Sequence, residues 1–221
     1  NYQRGVFSSH MQVVVKPVAG NANAWLKPGQ SVVLDETVSH GPFPLAQLKS
    51  FNLIPSMASV HTVLVNNDLT KPLFDLAKNE SPFDINTRIS YSGDTSSDIA
   101  LKALNYENGN EKVTFSGGNF NVGADRDGNV FSLTGEAQSG QVNAVNEYDQ
   151  KVQLTFNSLK ADGNSRMTDF KERIGDQKIS VDKIAIAVEG KELAVLEGMD
   201  LDGKSDVSKD GKSINTQLDY T

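Results

Sequence analysis

The sequence predicts a mainly β (α+β) protein: an extended antiparallel sheet of long amphipathic hairpin strands, with two or three short helices. Three observations predict it. Apolar residues recur at every second position over much of the chain, as in strands with one dry face. Five Asn-Gly or Asp-Gly pairs supply the positive φ that tight hairpins require. Helical spacing is scarce.

The alternation is cleanest at residues 151–157, where Val152, Leu154 and Phe156 oppose Lys151, Gln153, Thr155 and Asn157. Residues 85–91 repeat it with Ile85, Ile89 and Tyr91. Phe120, Val122 and Ala124 follow the same rule, as do Phe131 with Leu133, and Ile214 with Leu218 and Tyr220. Between 97 and 106 the phase slips from Ile99, Leu101 and Ala103 to Leu104 and Tyr106; a β-bulge allows such a shift. A second slip separates Ile179 and Val181 from Ile184, Ile186 and Val188. Turns are expected at Asn108-Gly109, Asp127-Gly128, Asp162-Gly163, Asp202-Gly203 and Asp210-Gly211. Strands of about 9–12 residues would be ~30–40 Å long.

Three segments carry helical signals. Thr70 is placed to cap a helix bearing Leu73, Phe74, Leu76 and Ala77. Pro44–Phe51 sets Leu45, Leu48 and Phe51 on one side, and Met167–Ile174 is the third. The 221 residues read as a single β-rich unit with a seam near 66–82, where a helix and two prolines sit.

Composition narrows the function classes. Hydrophobic residues make up 38%, a share that suggests thin layers rather than a thick core. The net charge is −7, with no basic block. Sequence-independent phosphate binding needs clustered Lys and Arg, so nucleic acid is not an expected partner. The same balance disfavours docking on anionic headgroups. Cysteine is absent, which removes disulfides, thiolate metal sites and Cys nucleophiles. No apolar run reaches the ~18 residues of a spanning helix, and the chain begins Asn1-Tyr2-Gln3 with no signal segment.

Two segments imitate known sites. Residues 198–205 match the phosphate-loop pattern, but Asp200 and Asp202 would put negative charge inside an anion cradle, and a turn-rich stretch follows where a helix is required. A strand, a turn at Asp202-Gly203 and a return strand are expected there. Asp125, Asp127, Asn129 and Glu136 take the ligand spacing of a calcium loop, yet Val130 occupies the glycine position and the flanks alternate as strands. A hairpin turn at Asp127-Gly128 is expected. His10, His40 and His61 have no ligand spacing. No metal, cofactor or catalytic residue is therefore assigned, and the chain is read as a non-enzyme. The most unusual stretch is His40-Gly41-Pro42-Phe43-Pro44-Leu45. Its prolines stiffen the chain. It is either a strand end with Phe43 anchored in the core, or a rigid apolar contact for a partner or ligand through His40, Pro42, Phe43 and Pro44.

Several segments together resemble the YdgA-like family of Gram-negative envelope proteins, a domain of unknown function. They are Tyr2–Ser9, His40–Leu45, Asn52–Met57, Ser90–Asp94 and Asn143–Phe156. The resemblance implies an N-terminal membrane anchor and a C-terminal region outside these residues, and a position on the periplasmic side of the inner membrane. It implies no catalytic residues.

A sheet with one apolar face must cover that face, and two or three short helices are too few. The expected function is a periplasmic binding or assembly module, with a homodimer or another envelope protein as partner and the membrane reached only through the anchor. A carrier of lipid or another apolar ligand in a sheet groove is the first alternative. A hydrolase of envelope polymers is the second.

Overall fold

The computed structural model of the protein describes residues 2–17, 26–44, 47–48, 51 and 53–221. Strand accounts for 63% of the chain and helix for 4%, so the class is mainly β. The chain divides into two units, Asn1–Lys102 and Ala103–Thr221. The expected seam at 66–82 falls inside the first unit.

In the first unit six strands run antiparallel in chain order: β1 (Tyr2–Arg4), β2 (Ser8–Val15), β3 (Val32–His40), β4 (Ala58–Leu64), β5 (Phe83–Ile89) and β6 (Thr95–Leu101). Directly opposed residues share a face. The row His10, Thr37, His61, Asn86, Asp98 is polar. Val13, Leu34 and Leu64 form a row of the other face. Among the described residues, Leu26, Pro44, Ala58, Leu64, Phe74 and Ala77 are the buried apolar residues of this unit.

The helix α1 spans Lys71–Leu76, with Pro72 in its first turn and no side-chain cap from Thr70. The Thr70 hydroxyl instead donates to the Val65 carbonyl at 2.8 Å. Asn67 Oδ1 accepts the amides of Leu69 and Thr70, an Asx turn that leads the chain into the helix. Lys78 and Asn79 follow at φ 56 and 64, and the Asn79 amide closes the end on the Phe74 carbonyl at 2.7 Å.

The expectation of two or three helices is corrected: α1 is the one helix of a full turn among the described residues. Gln47 and Leu48 are helical, but residues 45–46 and 49–50 of the Pro44–Phe51 segment lie outside the described residues. Met167–Ile174 is a hairpin turn. Its apolar spacing comes from Met167 ending one strand and Ile174 lying in the next.

The second unit is a meander of β9 (Gly118–Ala124), β10 (Val130–Val145), β11 (Lys151–Met167), β12 (Arg173–Val188), β13 (Lys191–Val207) and β14 (Ile214–Tyr220). A small hairpin of β7 (Leu104–Asn108) and β8 (Glu111–Phe115) adds to β10 through β8. The long strands have 16 or 17 residues, well beyond the length expected from sequence. Asn108-Gly109, Asp127-Gly128 and Asp210-Gly211 make turns as expected. Asp162-Gly163 and Asp202-Gly203 do not; both pairs sit mid-strand. The remaining hairpins close at Asp149 (φ 59), Lys171 (φ 64) and Glu189-Gly190 (φ 50 and 73).

In the last hairpin the Ser208 hydroxyl and then the Lys212 amide donate to the Asp210 carboxylate, holding its pKa below the usual carboxylate value. A depressed pKa stabilises above the unfolded value and is lost as pH falls through the folded one. The 208–213 turn is therefore expected to loosen only in acid. An NMR titration should show Asp210 protonating after the unhindered aspartates, and protonation alongside them would contradict this.

The phase slips have two different causes. At 97–106 there is no bulge: β6 ends at Leu101 and β7 starts at Leu104, and the boundary between units falls in the gap. In β10–β13 a line of four residues interrupts the ladder. Gln138, Ser158, Asp182 and Gly198 stand opposite one another, and none is paired, while the register is the same on either side. Ser158 and Gly198 lie at φ 54 and 64, a conformation that breaks strict alternation. The apolar phase changes at this crease in each strand, as from Leu159 and Ala161 to Phe156 and Leu154. The one register shift in this ladder lies elsewhere, at Ile186/Ala187.

Two aromatic rings lie against glycine on the neighbouring strand. A Cβ on Gly135 would stand 2.1 Å from the Phe120 ring, and one on Gly140 would stand 2.2 Å from Phe156. The rings cover backbone that has no side chain of its own. Gly140→Val is expected to cost about 1–3 kcal/mol by overpacking, read as a lower denaturant midpoint; an unchanged midpoint would show that the ring moves aside freely.

Candidate functional site

The register of β9–β14 sorts side chains onto two contrasting faces. One row reads Phe120, Gly135, Ala161, Ile179, Leu201, Tyr220; the next begins Val122, Leu133 and ends at Leu218. The intervening rows on the opposite face are polar, as in Thr134, Asp162, Lys178, Asp202, Asp219. Lys178 lies 3.7 Å from Asp202 and 3.8 Å from Asp200. This is the alternation of a sheet with one wet and one dry face.

The dry face carries no second layer among the described residues, for each long strand makes its substantial contacts with its ladder neighbours. Ile179, Leu201 and Leu218 all remain exposed, Ile179 at 42% and Leu201 at 40%. Buried apolar residues in this unit are few: Ala137, Ile174 and Val181. Burying apolar area stabilises by about 25 cal/mol per Å², so an uncovered face of this kind favours association.

Two hollows in this unit differ in lining. One of about 210 Å³ on the dry face is lined by Phe131, Leu133, Ala161, Gly163 and Ile179 among others; Gly163, mid-strand without a side chain, helps leave it open. A larger one of about 630 Å³ has Arg166, Asp176, Lys204 and Asp206 on its wall, and Arg166 pairs with Asp206 at 3.2 Å.

The residues singled out from sequence lie at one end of the first unit. His40 ends β3, and its Nε2 lies 2.8 Å from Ser9 Oγ, which in turn meets the Tyr2 hydroxyl at 3.1 Å. The Pro42 carbonyl accepts the Ser56 amide at 3.0 Å. Pro44 is fully buried, whereas Phe43 is 47% exposed. The anchor in the core is therefore Pro44 and not Phe43.

The other histidines meet carboxylates across strands, His10 with Asp35 at 2.9 Å and His61 with Asp84 at 2.8 Å. They sit two strands apart, ~9.5 Å by strand spacing, and each imidazole engages its own carboxylate. No group of three potential metal ligands occurs among the described residues.

Both imitated motifs dissolve in the sheet. Residues 198–205 lie inside β13, so no helix N-terminus faces a phosphate; the expected turn at Asp202-Gly203 is replaced by continuous strand. Asp125 opens the β9–β10 turn and its carboxylate accepts the Val130 amide at 2.9 Å. Glu136 lies six residues further along β10, paired with Asn119, roughly 20 Å away along the strand. These groups cannot converge on one calcium ion.

Comparison with known proteins places the chain. It is 66% identical over 221 residues to Protein YdgA of Escherichia coli (strain K12), covering 100% of this chain and 44% of that protein. It is 31% identical over 221 residues to the uncharacterized protein YihF of the same strain, covering 100% of this chain and 45% of YihF. An uncharacterized protein of Haemophilus influenzae is 28% identical over 129 residues, or 58% of this chain and 34% of its own. The chain thus spans somewhat less than half the length of the relatives it matches in full. No solved structure matches it. The model of one family, "Bacterial protein of unknown function (DUF945)", matches residues 1–221: the chain belongs to the DUF945 family.

Proposed function

We propose that this chain is a non-enzymatic binding or assembly module of a membrane-anchored envelope protein, working on the periplasmic side of the inner membrane. The observation that carries the proposal is the uncovered apolar face of β9–β14, with Ile179, Leu201 and Leu218 in solvent. Relatives more than twice as long offer further chain to cover it, and a second copy covers it when these residues stand alone. β14 also presents an outer edge with no strand beyond it among the described residues, open to strand addition.

A carrier of an apolar ligand is the second reading, favoured by the apolar hollow beneath Phe131 and Leu133. Its volume of about 210 Å³ lies below the ~300–1,000 Å³ of ordinary ligand pockets, so assembly ranks first. Sedimentation velocity over a range of concentrations, with mass spectrometry of an organic extract of the purified chain, separates the two. Reversible dimers without lipid are expected; a monomer carrying stoichiometric lipid would replace assembly with carriage.

A further inference from the structure

We propose that one end of the first unit is a membrane-contact surface, whose apolar connections enter the headgroup region of a lipid bilayer. This goes beyond the assembly reading and does not rest on it.

Topology brings three connections to that end. β1 leads into β2 through residues 5–7, β3 into β4 through 41–57, and β5 into β6 through 90–94. The backbone ties them together: the His40 amide donates to the Phe7 carbonyl at 2.9 Å, the Ser56 amide to Pro42 at 3.0 Å, and the Met57 amide to Ile89 at 2.9 Å. Six large apolar side chains on them are solvated. Val6 is 87% exposed, Phe7 72%, Leu53 67% and Tyr91 63%, with Phe43 and Ile54 near half.

Charge separates this end from the other. The three connections hold 25 residues and two charges, Lys49 and Asp94. The connections at the opposite end, residues 16–31 and 65–82, carry seven: Lys16, Lys27, Asp68, Lys71, Asp75, Lys78 and Glu80. The apolar end is therefore sparsely charged, and its two charges cancel. Large solvated side chains are a liability in a protein that meets only water. Aromatic and aliphatic residues on projecting connections, with charge held back, are the composition of an interfacial anchor. Pro42, Pro44 and Pro55 stiffen the widest connection, which lowers the entropy lost on insertion. A protein partner is less well matched, because the apolar groups stand on connections rather than line a groove. Net charge argues against attraction to anionic lipid, so binding comes from apolar insertion.

The test is co-sedimentation of the chain with phosphatidylcholine vesicles, with and without phosphatidylglycerol, at low and high salt. Binding is expected to both vesicles and to survive salt. Val6→Ser with Phe7→Ser, and separately Leu53→Ser with Ile54→Ser, should each weaken partitioning on the order of tenfold or more, with circular dichroism unchanged. Lys71→Ser with Lys78→Ser, at the opposite end, should change nothing. A Phe7→Trp reporter in a Trp25→Phe background should shift its emission to the blue with vesicles. The proposal is overturned if the wild-type chain stays in the supernatant, if the loop variants bind as it does, or if those variants abolish self-association instead. Ile179→Lys with Leu201→Lys should keep vesicle binding, so loss of assembly and loss of membrane contact are told apart.

Discussion

Gly175→Ala is expected to lower the melting temperature by about 10 °C or more. Gly175 lies in β12 between Ser165 and Ser205. A Cβ there would stand 2.0 Å from the Asn164 carbonyl oxygen and 2.7 Å from the Ser165 Cα. Both are backbone atoms, so no side chain can swing away. Its φ of 156 adds to the cost. Overpacking costs ~1–3 kcal/mol and an unfavourable backbone conformation ~1–3 kcal/mol; each kcal/mol moves the transition by ~2–4 °C in a chain of this size. The close approach also serves the fold. Ser205 Oγ accepts the Gly175 amide at 3.0 Å and donates to its carbonyl at 3.3 Å, and the adjoining Ile174 is 2% exposed. Gly203→Ala is the control. Its Cβ would meet nothing nearer than 3.8 Å, so thermal unfolding should be unchanged or slightly raised. Equal melting of the two variants would refute the packing described for β11 and β12.

Ile179→Lys with Leu201→Lys is expected to abolish self-association while leaving the sheet folded. The two residues are cross-strand partners on the dry face and are already partly solvated, so lysine can place its ammonium in water in the monomer. In an assembled face the same ammonium is desolvated without a partner, which costs several kcal/mol. The dissociation constant should rise on the order of 100-fold or more. Sedimentation equilibrium measures it, and an unchanged constant would move the contact to another surface.

Much of the sheet was legible residue by residue. Val152, Leu154 and Phe156 alternate because they share the apolar face of β11, and that local rule needs no knowledge of the neighbouring strands. The turns were less legible. Asp162-Gly163 and Asp202-Gly203 have the same local chemistry as Asp210-Gly211, yet they lie in strands paired across both edges, Gly163 opposite Leu133 and Gln177, Gly203 opposite Gln177 and Leu218. Propensity at a dipeptide yields to ladder hydrogen bonds supplied from far along the chain. Lys171 and Glu189 show the converse, taking positive φ in hairpins with little warning, although Gly190 after Glu189 was a usable signal.

The crease was half visible. The slip between Val181 and Ile184 marked it in one strand, but only the register shows Ser158 and Gly198 in the same line. The candidate contact at His40–Pro44 was found from proline spacing. The tips beside it, Val6-Phe7 and Leu53-Ile54, were missed: an exposed apolar dipeptide and a buried one look alike until the strands are placed. The uncovered face was inferred from too few helices, and the structure has fewer still.

The absence of cysteine allows the open face to be probed directly. Ile179→Cys and Leu201→Cys place thiols on the dry face, and Asp202→Cys places one on the wet face as a reference. In dilute solution all three should react with a soluble thiol reagent at comparable rates, and at high concentration the two dry-face thiols should become protected while Asp202→Cys does not. Protection of Ile179→Cys and Leu201→Cys at every concentration would mean that the chain covers this face itself, contradicting an open assembly surface.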